Sequence, residues 1–280
     1  MKVLTNTKEL QQITNLLKAK KIAVGFVPTM GALHQGHISL VEKSTAENKV
    51  TIVSIFVNPT QFDKAEDLEK YPKTIESDIV LLQNTNCDYL FLPSVDNIYS
   101  QKIKAQKFFF DGIENQMEGK FRDNHFNGVA TIVKKLFKIT QPTKSYFGEK
   151  DFQQLQIIRK LTEKEQLDIE IIGCPIFREQ NGLAMSSRNS RLTELQKKEA
   201  PLIYKTLKEV AEKYKTEGIG TISDWVTSEF NKNKILNLEY FEIADERTLK
   251  GIDEKSNNKT RAFIAVFADS IRLIDNMPLQ

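Results

Sequence analysis

Apolar residues recur along this chain in two alternating rhythms. Over residues 7–18, Leu10, Ile13, Leu16 and Leu17 repeat on one face at helical spacing. A continuous apolar run follows at 22–27. A second run, 49–57, holds Val50, Ile52, Val53, Ile55, Phe56 and Val57 with hardly a polar break, as parallel strands buried on both faces do. Helical spacing returns at 75–83, 129–139 and 151–165, with strand-like runs at 89–92, 145–147 and 168–174. This alternation predicts an α/β fold built on a doubly wound parallel sheet. Right-handed crossovers then gather the carboxyl ends of its strands along one edge, where ligands bind.

After Cys174-Pro175 the rhythm changes. A capping box, Thr193 with Gln196, opens a long helix that runs toward residue 216 and stops at Gly218-Ile219-Gly220. A shorter helix is expected around 225–230. Three strand-like runs follow at 238–244, 261–267 and 271–274, the last two flanking Ala268-Asp269-Ser270 as a hairpin. Residues 254–259 read as a polar loop. The pattern predicts two domains: a Rossmann-like one at 1–175 and a smaller α+β one at 176–280.

Composition narrows the function. A chain of 280 residues with 40% hydrophobic content supplies a substantial core. Lys+Arg total 40 and Asp+Glu 37, a net charge of +3, which argues against a dedicated nucleic-acid binder but leaves room for a local basic pocket. Cys87 and Cys174 form no CxxC pattern, and with 3 histidines a structural zinc site is disfavoured. The first residues hold no apolar signal core, and no run is long and apolar enough to span a bilayer. The expectation is a reduced, cytoplasmic protein with no membrane segment.

The most informative stretch is Pro28-Thr29-Met30-Gly31-Ala32-Leu33-His34-Gln35-Gly36-His37, between the first buried strand and a helix. Glycines let backbone approach an anion closely, and helix-start amides supply donors. His34 and His37, at i and i+3, point the same way. Metal ligation by the pair is disfavoured, because no third histidine or cysteine lies near them in sequence. The second strand ends in Asn58-Pro59-Thr60-Gln61, either an Asn-Pro turn with solvated amides or neutral hydrogen-bonding for a small polar substrate. Arg122 and His125 precede another helix, where they could meet a carboxylate. Equally, they could be a surface charge and a packed core residue. Gly148-Glu149-Lys150-Asp151 is a second strand–glycine–helix turn, with Gln154 one helical turn on. The 178–189 loop joins the halves, as a polar linker or a mobile polyphosphate loop. Asp78 reads as a metal-site residue or as part of a solvated helix face.

These blocks together resemble the pantothenate synthetase (pantoate–β-alanine ligase) family of the HxGH nucleotidylyl-transferase superfamily. His34-Gln35-Gly36-His37 matches the HxGH signature inside the longer block PTMGALHxGH. Blocks of the type FVNPxQF, HFxGV, FGEKDxQQL, DGLAMSSRN and RLIDN correspond, in order, to 56–62, 125–129, 147–155, 181–189 and 272–276. The resemblance implies ATP-dependent condensation of pantoate with β-alanine through pantoyl adenylate, releasing pyrophosphate and then AMP. It implies that Met30, Gly31, Ala32, Leu33, His34, Gln35, Gly36 and His37 line the ATP site. Gly148, Glu149, Lys150 and Asp151 continue it, as do Phe177, Met185, Ser186, Ser187 and Arg188. His34, His37 and Lys150 carry the catalytic role. Gln61 and Gln154 hold pantoate, with Asn58, Arg122 and His125 nearby. A homodimer with a C-terminal lid, and Mg2+ with unassigned ligands, complete the implied picture.

Three positions depart from the family pattern. Arg122-Asp123 stands where Arg-Pro is common, Asn181 where Asp-Gly-Leu begins, and Ala268-Asp269 where a glycine is usual. Three other classes compete with the ligase: an adenylyl transferase acting on a phosphorylated metabolite, a tRNA-charging synthetase and a non-catalytic nucleotide sensor. Neutral Gln61 and Gln154 disfavour the first, and the small net charge disfavours the second.

Overall fold

The computed structural model describes residues 1–62, 65–69, 71–99 and 103–279. It comprises two compact units: Met1–Glu149 with Gln153–Pro175, and the chain from Ile176 onward with Lys150–Phe152.

The first unit is an all-parallel sheet of strands β1 (Lys2–Leu4), β2 (Val24–Thr29), β3 (Val50–Ile55), β4 (Tyr89–Phe91), β5 (Lys144–Gly148) and β6 (Glu170–Cys174). Their order is β1-β4-β3-β2-β5-β6. From β2 the chain winds outward through β3 and β4, then returns to place β5 on β2's other side. That reversal makes a switch point, with a crevice beyond the carboxyl ends of β2 and β5. Helices α1 (Thr7–Ala19), α2 (Gln35–Glu47), α3 (Ala65–Glu69), α4 (Ile75–Gln83), α5 (Val95–Ile98), α6 (Glu118–Phe121), α7 (His125–Thr140) and α8 (Phe152–Lys164) complete the unit, Phe152 excepted.

Both faces of β2 are buried, which is why its sequence is apolar without alternation. Phe26 meets Phe137 of α7 edge-on at 6.2 Å, while Val27 packs with Ile38 and Val41 of α2. Each such side chain contributes roughly 1.5–3 kcal/mol when removed from water. The edge strand β1 has no sequence signature, since three residues carry too little pattern; pairing with β4 makes it a strand. α7 starts at His125 rather than 129, after Asn124 turns the chain in a left-handed conformation at φ 58°.

In the second unit β7 (Leu236–Asp245), β8 (Thr260–Ala268) and β9 (Ile271–Leu279) form an antiparallel sheet in that order. Its core joins Ile243, Ala262, Ile264 and Val266 to Ile203, Leu207 and Val210 of α10 (Leu202–Lys213) and to Ile222, Val226 and Phe230 of α11 (Ile219–Asn231). The single long helix expected from Thr193 is instead two, α9 (Glu194–Glu199) and α10. Pro201 between them has no N–H to continue the ladder. The capping box is present: Thr193 N–H donates to Gln196 Oε1 at 2.9 Å, and Gln196 N–H to Thr193 Oγ1 at 3.3 Å. Gly218 caps the start of α11, which runs through Gly220, so these glycines open a helix rather than end one. β9 continues to Leu279, past the expected residue 274, and tolerates Pro278 because it is the sheet's edge. The hairpin turn places Asp269 at φ 55°, which explains why a glycine would also serve there.

Candidate active site

The first turn beyond β2 is fixed from three sides. Gly31 adopts φ 84° and Ala32 φ 49°, reversing the backbone. Thr29 Oγ1 donates to the Ser54 carbonyl at 2.8 Å and accepts from Gly31 N–H at 3.3 Å. Asp78, 1% exposed in α4, accepts the Ala32 N–H at 3.0 Å on one carboxylate oxygen and the Leu33 N–H at 2.8 Å on the other. Asp78 is therefore a buried anchor of this turn and not part of a solvated helix face. A Cβ on Gly31 would stand 3.1 Å from that carboxylate, so only glycine combines this φ with this approach.

The turn delivers two imidazoles to the start of α2. Their centroids are 4.0 Å apart at 37°, as the i, i+3 spacing requires. His37 Nδ1 accepts the His34 backbone N–H at 3.3 Å. A ring nitrogen that accepts carries no hydrogen, so this bond puts the hydrogen of the imidazole on Nε2. Gln35 and Gly36 occupy the first helical turn, where amide donors and the positive end of the dipole coincide.

Beside it, the turn after β3 is a polar network built around Asn58, 1% exposed. Asn58 Nδ2 donates to Gln61 Oε1 and to the Gly128 carbonyl, both at 3.1 Å. Asn58 Oδ1 accepts from the Tyr99 hydroxyl at 2.7 Å and the Thr60 hydroxyl at 3.1 Å. Burial pushes the Tyr99 phenol up, keeping it a donor. Gln61 Nε2 points at Met30 Sδ at 2.9 Å, linking this network to the first turn. His125 is buried, and its Nδ1 donates to the Gln61 carbonyl at 2.9 Å. Gly128 lets α7 lie against this turn: a Cβ there would be 2.2 Å from the Thr60 carbonyl oxygen. The expected site residues Met30, Asn58, Gln61 and His125 are thus brought together. Arg122, half-buried, ends α6, and its carbonyl accepts the His125 N–H at 3.3 Å.

Gln154 is half-buried in α8. Its neighbour Gln153, absent from the sequence-predicted site, is 4% exposed and holds the preceding loop: its Oε1 accepts Glu118 N–H at 2.9 Å, and its Nε2 donates to the Ile113 and Gln116 carbonyls at 2.8 and 2.7 Å. Nothing in sequence separates two adjacent glutamines; the helical phase of α8 does. Gly148 ends β5 and Glu149 follows it, both in the first unit.

The remaining candidates belong to the second unit. Lys150 has its carbonyl held by Asn276 Nδ2 at 2.9 Å and its ammonium 3.6 Å from the Asp151 carboxylate. The loop from Phe177 folds back on itself, with Met185 N–H donating to the Phe177 carbonyl at 2.9 Å and Arg178 bridging Ala184. Arg178 grips Asp275 with two bonds of 2.6 and 3.0 Å and the Gly182 carbonyl at 3.1 Å. Burial pushes the Asp275 carboxyl up, and Arg178 opposes that shift. Asn189 donates to Glu179 Oε1 at 2.6 Å and to the Ala184 carbonyl at 3.1 Å. The side chains of Arg178, Asp275, Glu179 and Asn189 set the frame on which Met185, Ser186, Ser187 and Arg188 are displayed. Ser186 Oγ accepts the Arg188 N–H at 3.2 Å. Asn181 Oδ1 accepts Leu183 N–H at 3.0 Å, a turn an aspartate would make equally well.

Fold and turn define an α/β protein that presents a histidine-bearing helix N-terminus at its sheet's switch point. A family model described as pantoate-beta-alanine ligase matches residues 2–278, and the chain belongs to that family. It is 51% identical to a pantothenate synthetase of Christiangramia forsetii, over 100% of this chain and 99% of that one. It is 53% identical to the pantothenate synthetase of Flavobacterium psychrophilum over 92% of each. Among solved structures, a pantothenate synthetase of Thermus thermophilus superposes with a TM-score of 0.92 at 34% identity, covering 99% of each chain. A pantoate–β-alanine ligase of Francisella tularensis, solved with β-γ ATP and β-alanine, gives 0.82 at 38% identity, covering 99% of this chain and 97% of that one.

Proposed function

We propose that this chain condenses pantoate with β-alanine at the expense of ATP, through pantoyl adenylate, for pantothenate biosynthesis. The observation that carries the reading is the His34–His37 pair at the start of α2, beside the neutral Asn58–Gln61 network. A carboxylate attacking a polyanion needs charge neutralisation and in-line placement more than a covalent enzyme nucleophile. His37 Nε2–H, His34 and the α2 amides serve as donors to ATP phosphate. Gln61 binds pantoate without adding charge. Asn58 and His125, whose bonds are made within the protein, position Gln61 rather than touch substrate. Gln154 and Arg122 complete the pantoate role.

On the match of their blocks, Gly148, Glu149, Lys150 and Asp151 are assigned to ATP, together with Phe177, Met185, Ser186, Ser187 and Arg188. Lys150 shares the catalytic role with the histidines. In the second step AMP leaves as the β-alanine amine attacks the acyl carbonyl.

Among the described residues no group of three or more His, Cys, Asp and Glu side chains is set to hold a metal ion, and Asp78 is committed to backbone amides. Mg2+ therefore fits this chain as a companion of the ATP phosphates, where it supplies charge neutralisation. The C-terminal unit is assigned the lid role, and the chain a homodimeric state, in keeping with exposed Ile103, Phe109 and Phe121. The free thiols Cys87 and Cys174 suit the reducing cytoplasm.

The test is isotope exchange of pyrophosphate into ATP. Exchange should require pantoate and proceed without β-alanine. Release of ADP, or exchange that needs β-alanine, would falsify the adenylate route.

A further inference from the structure

The C-terminal unit holds a cavity of about 550 Å3 at the junction of α9, α10 and the end of α11. Four lysines line it, Lys198, Lys205, Lys208 and Lys232, against two carboxylates, Glu199 and Glu229. Both carboxylates are already engaged: Glu229 pairs with Lys232 at 2.6 Å, and Glu199 accepts the Asn233 amide at 2.9 Å. Two ammonium groups, those of Lys198 and Lys208, remain outside any ion pair among the described residues, and that of Lys205 is held only by an exposed glutamate, Glu209, at 4.0 Å. Lys208 lies 5.0 Å from the Tyr204 ring centroid.

Tyr204 and Asn181, which also line the cavity, connect it to the 178–189 loop. The Tyr204 ring carries the Arg178 guanidinium at 3.8 Å. It presses so closely on Gly182, at φ 94°, that a Cβ there would be 2.4 Å from the ring. Asn181 spends its Oδ1 on the Leu183 N–H and keeps its amide hydrogens as donors. The ring already carries two cations, which leaves little room for a stacked base. The surplus lysines favour an occupant with at least two negative charges.

We infer that this cavity is an anion site for a small, multiply charged phosphate compound, gathered by Lys198, Lys205 and Lys208, whose occupancy bears on the 178–189 loop through Tyr204 and Asn181. The site lies wholly within the C-terminal unit and goes beyond the ligase chemistry.

The probe is inorganic pyrophosphate. The readout is the 19F resonance of Tyr204 in full-length protein labelled with 3-fluorotyrosine, identified by its loss in Tyr204→Phe. Pyrophosphate should move this resonance saturably, and sodium chloride at matched ionic strength should not. The combined Lys198→Ala, Lys205→Ala and Lys208→Ala variant should weaken the apparent affinity at least ~10-fold. These lysines are exposed, and Lys205→Glu alone, expected to act in the same direction, guards against loss of fold. Lys150→Ala should leave the response intact, which separates this site from ATP binding. The inference is overturned if the resonance stays still, if chloride reproduces the shift, if the lysine variants titrate like wild type, or if Lys150→Ala alone abolishes the response.

Discussion

Asp78 and Leu33 lie 45 positions apart in sequence, yet a 2.8 Å hydrogen bond from the Leu33 amide to the Asp78 carboxylate sets the approach to the candidate phosphate site. The same carboxylate takes the Ala32 amide at 3.0 Å, so one buried side chain satisfies two consecutive donors in a backbone reversal. The loop that presents His34 and His37 is thereby held from the neighbouring helix α4.

Asp78→Asn should damage the loop more than its size suggests. An amide offers one acceptor and turns its NH2 group toward the second backbone donor. The loss should be ~1–3 kcal/mol of stability, with activity falling further because the histidines are misplaced. Denaturant melts beside pyrophosphate exchange measure both. Unchanged exchange in a destabilised variant would show that the clamp serves folding alone.

His34→Ala and His37→Ala should fold normally and lose adenylation. Both rings are partly exposed at a helix start, so little core packing is lost. Removing a transition-state donor typically costs ~10²–10³ in rate. Exchange rates near wild type in both variants would remove the imidazoles from the mechanism.

Asn58→Ala removes its bonds to the Gly128 carbonyl, the Tyr99 hydroxyl and Gln61 Oε1 at once, leaving the Tyr99 hydroxyl only its 3.2 Å contact with the Thr60 hydroxyl. Stranded buried groups cost ~1–3 kcal/mol, so the expected loss is several times that of Tyr99→Phe, which deletes one hydroxyl. With Gln61 unheld, KM for pantoate should rise while KM for ATP changes little. Steady-state kinetics with each substrate varied in turn distinguishes a positioning role from a general loss of fold.

Both thiols should be inert in the native protein. Burial pushes Cys87 up to about 12 and Cys174 up to about 11, and both are 3% exposed. At pH 8 the thiolate fraction is small and shielded, so a disulfide reagent should react with neither on the minute scale. Unfolding in guanidinium should release both at once. Rapid modification of one native thiol would mean that its strand opens locally.

The sequence by itself determined the periodicities, and with them the alternating strands and helices, the change of pattern after Pro175 and the glycine–histidine turn. Those features are local: a buried parallel strand must be apolar on both faces, and i, i+3 residues at a helix start must share a side. Tertiary structure decided what depends on distant partners. It made a strand of Lys2–Leu4 by pairing it with Tyr89–Phe91, and it turned Asp78 from a candidate surface acid into a buried anchor. It selected Gln153 over Gln154 as the residue that holds the 113–118 segment. It also gave Asn58 its place under Gln61, through contacts with Tyr99 and Gly128 that lie 41 and 70 residues away. A carboxylate or carboxamide carries the same local signal whether it faces water, substrate or a backbone amide. Only the chain packed around it supplies or withholds the partner.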